Sequence, residues 1–382
     1  MLVCLVKRQE RASTHIERLT SQLNCVARHD STDGSARHLN QKGGCNMKVK
    51  VSGVIMVLCL TVLILSCANT ASAQTDKPIT LSVLSSWPKG YPEVDDYVLP
   101  WIAKIESATG GRLKLRWMGG PEAVHPFEQL KAVQKGLTDI LYTHPAYHPE
   151  VVAAGQAADL VYAVPKVRTE SGYDTLLAEV YLKRGGVKYL PPFPSGMQYQ
   201  LFMNKKIDKA DLTGLKIRAT PFYVPMVAGL GGATVQTTTG EIYDSLSSGV
   251  IDGYCSPQRY PMTIKLHEVT KYAVLPRVGE VVFISLVNTS SWNKVPKDLQ
   301  ATVEKVTREV VEAQRAVMLK KTKEEEPRML QHGMAFVQLP PQESSKMLKV
   351  FRDRSWETLI FKPDPEFAPK LKAIAEKIEQ TK

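Results

Sequence analysis

The sequence predicts an α/β fold built as two similar lobes, and three observations predict it. Segments with an apolar period of two alternate with segments of helical period, the grammar of sheets covered by helices. A helix-Gly-x-x-Asp-strand unit occurs twice, as Val133/Gly136/Asp139 and Leu246/Gly249/Asp252, at a constant offset of 113. Glycine is a common helix stop, so this match argues for two lobes without requiring them. From Asp298, the apolar residues Leu299, Val303, Val306, Val310, Ala313 and Val317 recur every four and three positions. They predict a helix of about 28 residues ending at Pro327, long enough to bridge two lobes or to pair with another chain.

Taken in order, Ile79 to Leu84 is a short apolar strand that ends at Ser85-Ser86-Trp87-Pro88. Val94, Val98, Trp101, Ile102 and Ile105 then recur at helical spacing until Gly110-Gly111 stops the helix in a left-handed conformation. Arg112 to Trp117 alternates with period two, a strand with one buried face. A short helix around Phe127, Leu130 and Val133 ends at Gly136 and feeds a strand from Leu137 to Leu141. The same order returns with Leu215/Ile217/Ala219, a helix to Gly231-Gly232, a strand at Ala233 to Gln236, and a helix carrying Ile242 and Leu246 that leads into Val250-Ile251-Asp252-Gly253. The run Lys320 to Glu326 reads as the solvated end of the long helix, and Phe367, Leu371, Ile374 and Ile378 as a final amphipathic helix that packs on the body.

The 382 residues contain 43% hydrophobic and 23% charged residues with 24 each of Gly and Pro, which excludes a collagen, a coiled-coil rod or a mainly disordered chain. Lys48 and Lys50 precede an uncharged apolar run from Val51 to Ala68, which is followed by Ala71-Ser72-Ala73. A basic start, a short greasy core and a small-x-small end mark a secretory signal peptide over residues 47–73, cleaved after Ala73. A transmembrane anchor would need a longer core, since about 18 residues is the lower limit for a span. Ile64-Leu65-Ser66-Cys67 offers the alternative of a lipoprotein acylated at Cys67. Met47 then reads as the start, and residues 1–46 as a non-native or disordered extension. Without residues 1–73 the chain keeps 40 Lys+Arg against 34 Asp+Glu, a net charge of +6. That balance suits an anionic partner, while the absence of basic clusters with interleaved aromatics argues against nucleic acid. Cys255 is then the only cysteine, so stability rests on an ordinary core.

No motif for an enzyme, a cofactor or a metal is present: there is no Gly-x-Ser-x-Gly elbow, phosphate loop, His-Glu-x-x-His or Cys pair. The rival reading is an exported hydrolase or metal enzyme using Cys255, or His144 and His148, although Pro145 and Pro149 disfavour the helix that would align the two histidines. Ligands of open α/β sheets sit beyond the carboxyl ends of the strands. That places weight on Ser86-Trp87, Tyr142-Thr143-His144, Arg218 to Pro221 and Tyr254-Cys255-Ser256. Arg218 closes an alternating strand, where its planar fork could grip a carboxylate or join an ion pair between lobes.

Asp211-Leu212-Thr213-Gly214-Leu215-Lys216-Ile217-Arg218, Gly232-Ala233 and Glu241 to Gly253 together resemble the solute-binding receptors of tripartite ATP-independent periplasmic (TRAP) transporters. Ser107 to Leu113, Leu130 to Asp139 and Trp292 to Leu299 are similar to further segments of that family. The resemblance implies a two-lobed periplasmic solute-binding protein fold, with a ligand cleft between lobes and a long lobe-spanning helix. It implies lobe 1 from residues 74–195 and 284–323, and lobe 2 from 196–283 and 324–382. The lobes would close on a small organic acid for delivery to membrane permease subunits, with Arg218 on the carboxylate, in a monomer or homodimer. Two positions depart from the family pattern. Gln198 stands where many members carry a second arginine, and Tyr254-Cys255-Ser256-Pro257 stands for Gln-Glu-Asn-Pro, with Arg259 close behind. The expected ligand contacts are therefore Arg218, Gln198, Ser256, Tyr254, Trp87, Thr143 and Arg259. With Arg218 the one firm cation they favour a monocarboxylate, whereas Arg259 in the cleft would admit dicarboxylates.

Overall fold

The computed structural model describes residues 77–381, within one compact unit of residues 75–382. The extension 1–46, the export segment 47–73 and Cys67 lie outside the described residues. The strands run in order β1 (Ile79–Ser85), β2 (Leu113–Gly119), β3 (Ile140–Thr143), β4 (Val187–Tyr189), β5 (Phe193–Pro194), β6 (Tyr199–Met203), β7 (Lys216–Arg218), β8 (Ala233–Val235), β9 (Gly253–Pro257), β10 (Tyr272–Val278), β11 (Val282–Asn288) and β12 (Ala335–Gln338). They form two mixed sheets, one ordered β2-β1-β3-β11-β4 with β5 added on β11, the other β12-β10-β6-β9-β7-β8.

Each sheet contains the same unit. In the first, β1 is flanked by β2 and β3, both parallel to it, and β3 pairs with antiparallel β11. In the second, β7 is flanked by parallel β8 and β9, and β9 pairs with antiparallel β6. The aspartates of the repeated motif do the same work in both. Asp139 accepts from the Ser82 amide and hydroxyl at 2.8 and 2.6 Å, tying β3 to β1, and Asp252 accepts from the Lys216 amide at 3.0 Å, tying β9 to β7. The expected strands at Leu137 and Val250 begin later, at Ile140 and Gly253. Leu137 and Val250 are 69% and 52% exposed because each follows a glycine at positive φ that spends the next residues on a turn. Gly253 itself is required by close approach, since a Cβ there would lie 2.5 Å from the Phe202 carbonyl oxygen on β6.

Two short crossings join the sheets, residues 195–198 between β5 and β6 and residues 279–281 between β10 and β11. They pair side by side, with Ser195 N donating to Val281 O at 3.0 Å and Val281 N to Met197 O at 2.9 Å. Glu280, fully buried, accepts from the Gly196 amide at 2.9 Å and from the Arg315 guanidinium at 2.5 Å, which fastens both crossings to the long helix. At φ +77°, Gly196 packs so near the Leu319 side chain that a Cβ would meet it at 2.6 Å.

The long helix runs Lys297–Gln331 and spans both sheets. On the first side Thr307 receives the indole proton of buried Trp101 at 2.9 Å, and on the second Glu326 receives Arg277 at 2.6 Å. Pro327 does not end it, and the run Lys320 to Glu326 is not wholly solvated, because Thr322 and Glu325 are buried. The buried seam follows Leu299, Val303, Val306 and Val310 as expected, then moves to Val311, Arg315, Met318, Thr322, Glu325 and Met329, leaving Val317 exposed. A straight helix of 3.6 residues per turn precesses past a seam extrapolated at 3.5. The helix Pro341–Ser355 packs on Val224–Gly229 of the second side, whereas the final helix Ala368–Gln380 packs on Tyr173–Gly185 of the first. Arg184 donates to both oxygens of Asp364 at 3.0 and 2.8 Å there. The expected allocation of all of 324–382 to the second lobe is corrected at this point: the last helix crosses back because its apolar face, Leu371 and Ile378, buries on the first lobe.

Candidate functional site

The carboxyl ends of β1, β3, β7 and β9 converge on one small cavity of about 30 Å³, lined among others by Trp87, His144, Tyr199, Arg218, Thr220, Ser256 and Phe283. Loops from the two sides meet over it. Tyr147 reaches Thr239 at 3.4 Å, and Tyr260 donates to Glu93 at 2.9 Å.

Arg218 is 2% exposed. Its Nε and Nη2 donate to Thr237 O at 3.1 and 2.8 Å, and its Nη1 donates to Cys255 O at 3.2 Å. A guanidinium has five N–H donors, so two remain for the cavity. Among the described residues no carboxylate lies within ion-pairing distance of it. The expectation left open between an ion pair across the lobes and a ligand contact thus resolves into a buried cation held only by carbonyl dipoles. Such a charge is costly to bury without an anion.

Ser256 and Trp87 also reach the cavity, and both carry unmet hydrogen-bonding capacity. Ser256 Oγ and Trp87 Nε1 are buried with no partner. Trp87 packs edge-on against Phe283, 5.3 Å between ring centres, and against Tyr147 at 5.9 Å, so the indole is fixed by an aromatic wall.

The other expected contacts lie elsewhere. Tyr254 stacks on Phe202, 5.1 Å away, and its hydroxyl pairs with Thr270, inside a separate apolar cluster. Thr143 pairs at 2.6 Å with Ser86, which donates to Gln129, so its hydroxyl is already satisfied. The Gln198 amide donates to the Gln258 side-chain Oε1 at 2.9 Å and its carbonyl accepts from the Gln258 amide at 3.1 Å. Arg259 turns to the long helix, where it contacts Met318 and lies 4.0 and 3.8 Å from Asp96 and Glu325. It therefore brings no second free cation to the cavity.

The residues of the rival enzymatic reading are also accounted for. Burial pushes the Cys255 thiol up to about 12, so at neutral pH it is not a thiolate. Burial, with neighbouring His144, pushes His148 down to about 3, and its ring pairs with Tyr181 instead of facing the cavity. Among the described residues no group of three His, Cys, Asp or Glu is arranged to hold a metal. His144 does line the cavity, at one of the strand-end positions the sequence weighted. Its Nδ1 accepts from the Ala146 amide at 3.1 Å, which places the proton on Nε2, 2.6 Å from fully buried Asp159. Tyr199 donates to the same carboxylate at 2.8 Å, and Asp159 also accepts from Val282 N at 2.9 Å, linking the cavity wall to the second crossing. The signal for these residues was present only as position: His144, Thr220 and Tyr223 follow the strand ends directly.

This geometry agrees with the comparisons. The family model described as bacterial extracellular solute-binding protein, family 7 (DctP) matches residues 84–358, well over half of the chain. The chain belongs to this family. It is the family of TRAP-transporter receptors that the sequence resembles. Among curated relatives, a solute-binding protein of Verminephrobacter eiseniae is 24% identical over 62% of this chain and 71% of its own length. The C4-dicarboxylate-binding periplasmic protein DctP of Rhodobacter capsulatus is 26% identical over 53% of this chain and 63% of its own length. A monocarboxylate 2-oxoacid-binding periplasmic protein of Nostoc is 26% identical, covering 64% and 71%. Among solved structures, a TRAP periplasmic solute-binding protein from Desulfovibrio salexigens with bound orotic acid superposes with a TM-score of 0.69 at 18% identity, covering 78% of this chain and 99% of that one. A TRAP solute-binding protein from Bordetella bronchiseptica gives 0.71 at 20% identity, covering 79% and 93%. These likenesses carry the two-lobed fold to this family-7 chain. No helix among its described residues is long and apolar enough to cross a membrane.

Proposed function

We propose that this chain is the extracytoplasmic receptor of a TRAP transporter, exported on residues 47–73 into the periplasm, that captures a small organic acid between its lobes and passes it to the membrane permease. The observation that carries this reading is Arg218, a buried guanidinium with two N–H donors left over that lines the cavity at the strand ends. A carboxylate taking both donors neutralises the buried charge and forms the strongest class of hydrogen bond. The crossings 195–198 and 279–281, with the long helix that also spans both sheets, are the segments about which the lobes would part. Family 7 relatives named for C4-dicarboxylates and for 2-oxo monocarboxylates are consistent with an acid as cargo. Catalysis is not part of this reading: burial raises the Cys255 thiol to about 12, which keeps it protonated at neutral pH.

The test is a thermal-shift screen of the protein from Gln74 onward against mono- and dicarboxylates, sugars and amino acids, beside Arg218→Ala. A ligand at a hundred times its dissociation constant adds about 2.7 kcal/mol to stability. The reading expects acids alone to raise the midpoint and the variant to lose the response. A response to sugars only, or an equal response in the variant, contradicts it.

A further inference from the structure

Three features of the cavity say more about the acid than that it has a carboxylate. The first is charge. Among the described residues Arg218 is the one Lys, Arg, Asp or Glu side chain that lines the cavity, since Arg259 is drawn off by Asp96 and Glu325. Behind the lining stand two buried carboxyl groups, Asp159 against His144 and Tyr199, and Glu93 against Tyr260. A second carboxylate on the ligand would enter an aromatic space with no second cation to meet it.

The second feature is the pair of orphaned polar atoms. Trp87 Nε1–H can only donate, and the Ser256 hydroxyl can donate as well. Both are buried, where an unmet donor is costly. They lack what the neighbouring Ser86–Thr143–Gln129 network supplies to its own members, an acceptor. The third feature is size. Trp87 and Ser256 line the same cavity of about 30 Å³ as Arg218, so the acceptor they await belongs to the same ligand as the carboxylate.

Resting on the receptor reading above, we propose that the site selects monocarboxylates bearing a neutral hydrogen-bond acceptor on the adjacent carbon, 2-oxo or 2-hydroxy acids, with Trp87 Nε1 and Ser256 Oγ reading that acceptor and Arg218 holding the carboxylate. Trp87, Tyr199 and Phe283 form the wall for the remainder of the ligand. Dicarboxylates are excluded by the missing second cation.

Two matched series test this by titration calorimetry: propionate, pyruvate and malonate, and phenylacetate, phenylglyoxylate and phenylmalonate. In at least one series the 2-oxo acid should bind about tenfold or more tighter than both its plain and its dicarboxylic counterparts. Trp87→Phe keeps the ring and removes only the donor, and Ser256→Ala removes the hydroxyl. Each should shrink the preference for the 2-oxo acid over the plain acid to about threefold or less, the ratio being read within each variant whatever its plain-acid affinity. Two variants guard against one of them packing badly, and parent-like melting without ligand confirms that they fold. A dicarboxylate binding best, or both variants keeping the full preference, overturns the proposal while leaving the receptor reading intact, provided Arg218→Ala abolishes binding. Binding that survives Arg218→Ala, or no binding of any acid, overturns the receptor reading and this inference with it.

Discussion

At matching positions of the two repeated units, the first sheet places Leu84 beside Leu141 and the second places Arg218 beside Tyr254. Leu84 is packed in the core at 1% exposure, and Arg218 is equally buried but charged. The same holds one strand over. Thr143 in the first unit is satisfied by Ser86, whereas Ser256, 113 residues later, has a buried hydroxyl with no partner. The scaffold is therefore shared, and the polar binding groups are concentrated in one copy. The first copy contributes aromatic wall and closure contacts, Trp87, Tyr147 and the Glu93 carboxyl.

Making the second unit resemble the first is the harshest test of that division. Arg218→Leu should abolish acid binding, a loss of about 3–5 kcal/mol as for truncating one partner of a buried charge pair, read by calorimetry with a responding acid. It also leaves the Thr237 and Cys255 carbonyls without their donor. A variant that still binds within about tenfold would put the recognition in the first unit.

Removing the buried acid from the first unit comes next in size. Burial holds the Glu93 carboxyl up at about 7, with Tyr260 and Arg259 pulling the other way. Its folded value lies above its unfolded value, so the native state binds the extra proton between about pH 4.5 and 7 and stability falls as pH rises through that window. Glu93→Gln should flatten this dependence and raise stability at pH 8 by about 3 kcal/mol, with little change at pH 4, measured by urea denaturation across pH. Unchanged pH dependence would mean that Glu93 is solvated.

The repeated aspartates provide a graded pair. Against the pull of burial, the Ser291 and Ser82 hydroxyls and the Ser82 amide hold Asp139 below the usual carboxylate range, while the Lys216 amide and Lys205 lower Asp252. Asp139→Ala should cost about 2 kcal/mol and Asp252→Ala about 1, because the first loses more hydrogen bonds in a more buried setting. Both carboxyls have depressed folded values, so their stabilisation is present at neutral pH and is lost as pH falls through the acid range; chemical denaturation at pH 7 and pH 3 should show both costs shrinking. Equal costs at pH 7 would weaken the distinction between a buried and a solvated copy of the motif. An effect of similar size, confined to acid pH, belongs to His148. Its folded value, about 3, lies below the unfolded one, so it destabilises the fold as pH drops below about 6.5, and His148→Phe should lessen acid sensitivity by about 1–2 kcal/mol at pH 4.

Local patterns in the sequence carried much of this. Period-two alternation and the Gly-x-x-Asp spacing announce β7, β9 and their equivalents, because strand pleat and left-handed helix stops are set by nearby residues. Arg218 is legible for the same reason, as the polar residue that closes an apolar strand. What the sequence hid depends on distant packing. Tyr254 looks available beside Ser256, yet its ring goes to Phe202 on β6. Arg259 reads as a spare cation until the long helix brings Glu325 to it from 66 residues away. The seam of that helix drifts after Val310, which only its neighbours on both sheets reveal.

The central claim is that Arg218 seats the carboxylate of an acid enclosed between the lobes. The most direct measurement is a crystal structure of the protein from Gln74 onward, soaked with the acid that gives the largest thermal shift. The account predicts ligand density in the cavity with a carboxylate bridging the two free Arg218 nitrogens and a second oxygen near Trp87 Nε1 and Ser256 Oγ. Density elsewhere, such as the 640 Å³ hollow beside Trp356 and Lys372, with the Arg218 cavity empty, would contradict it.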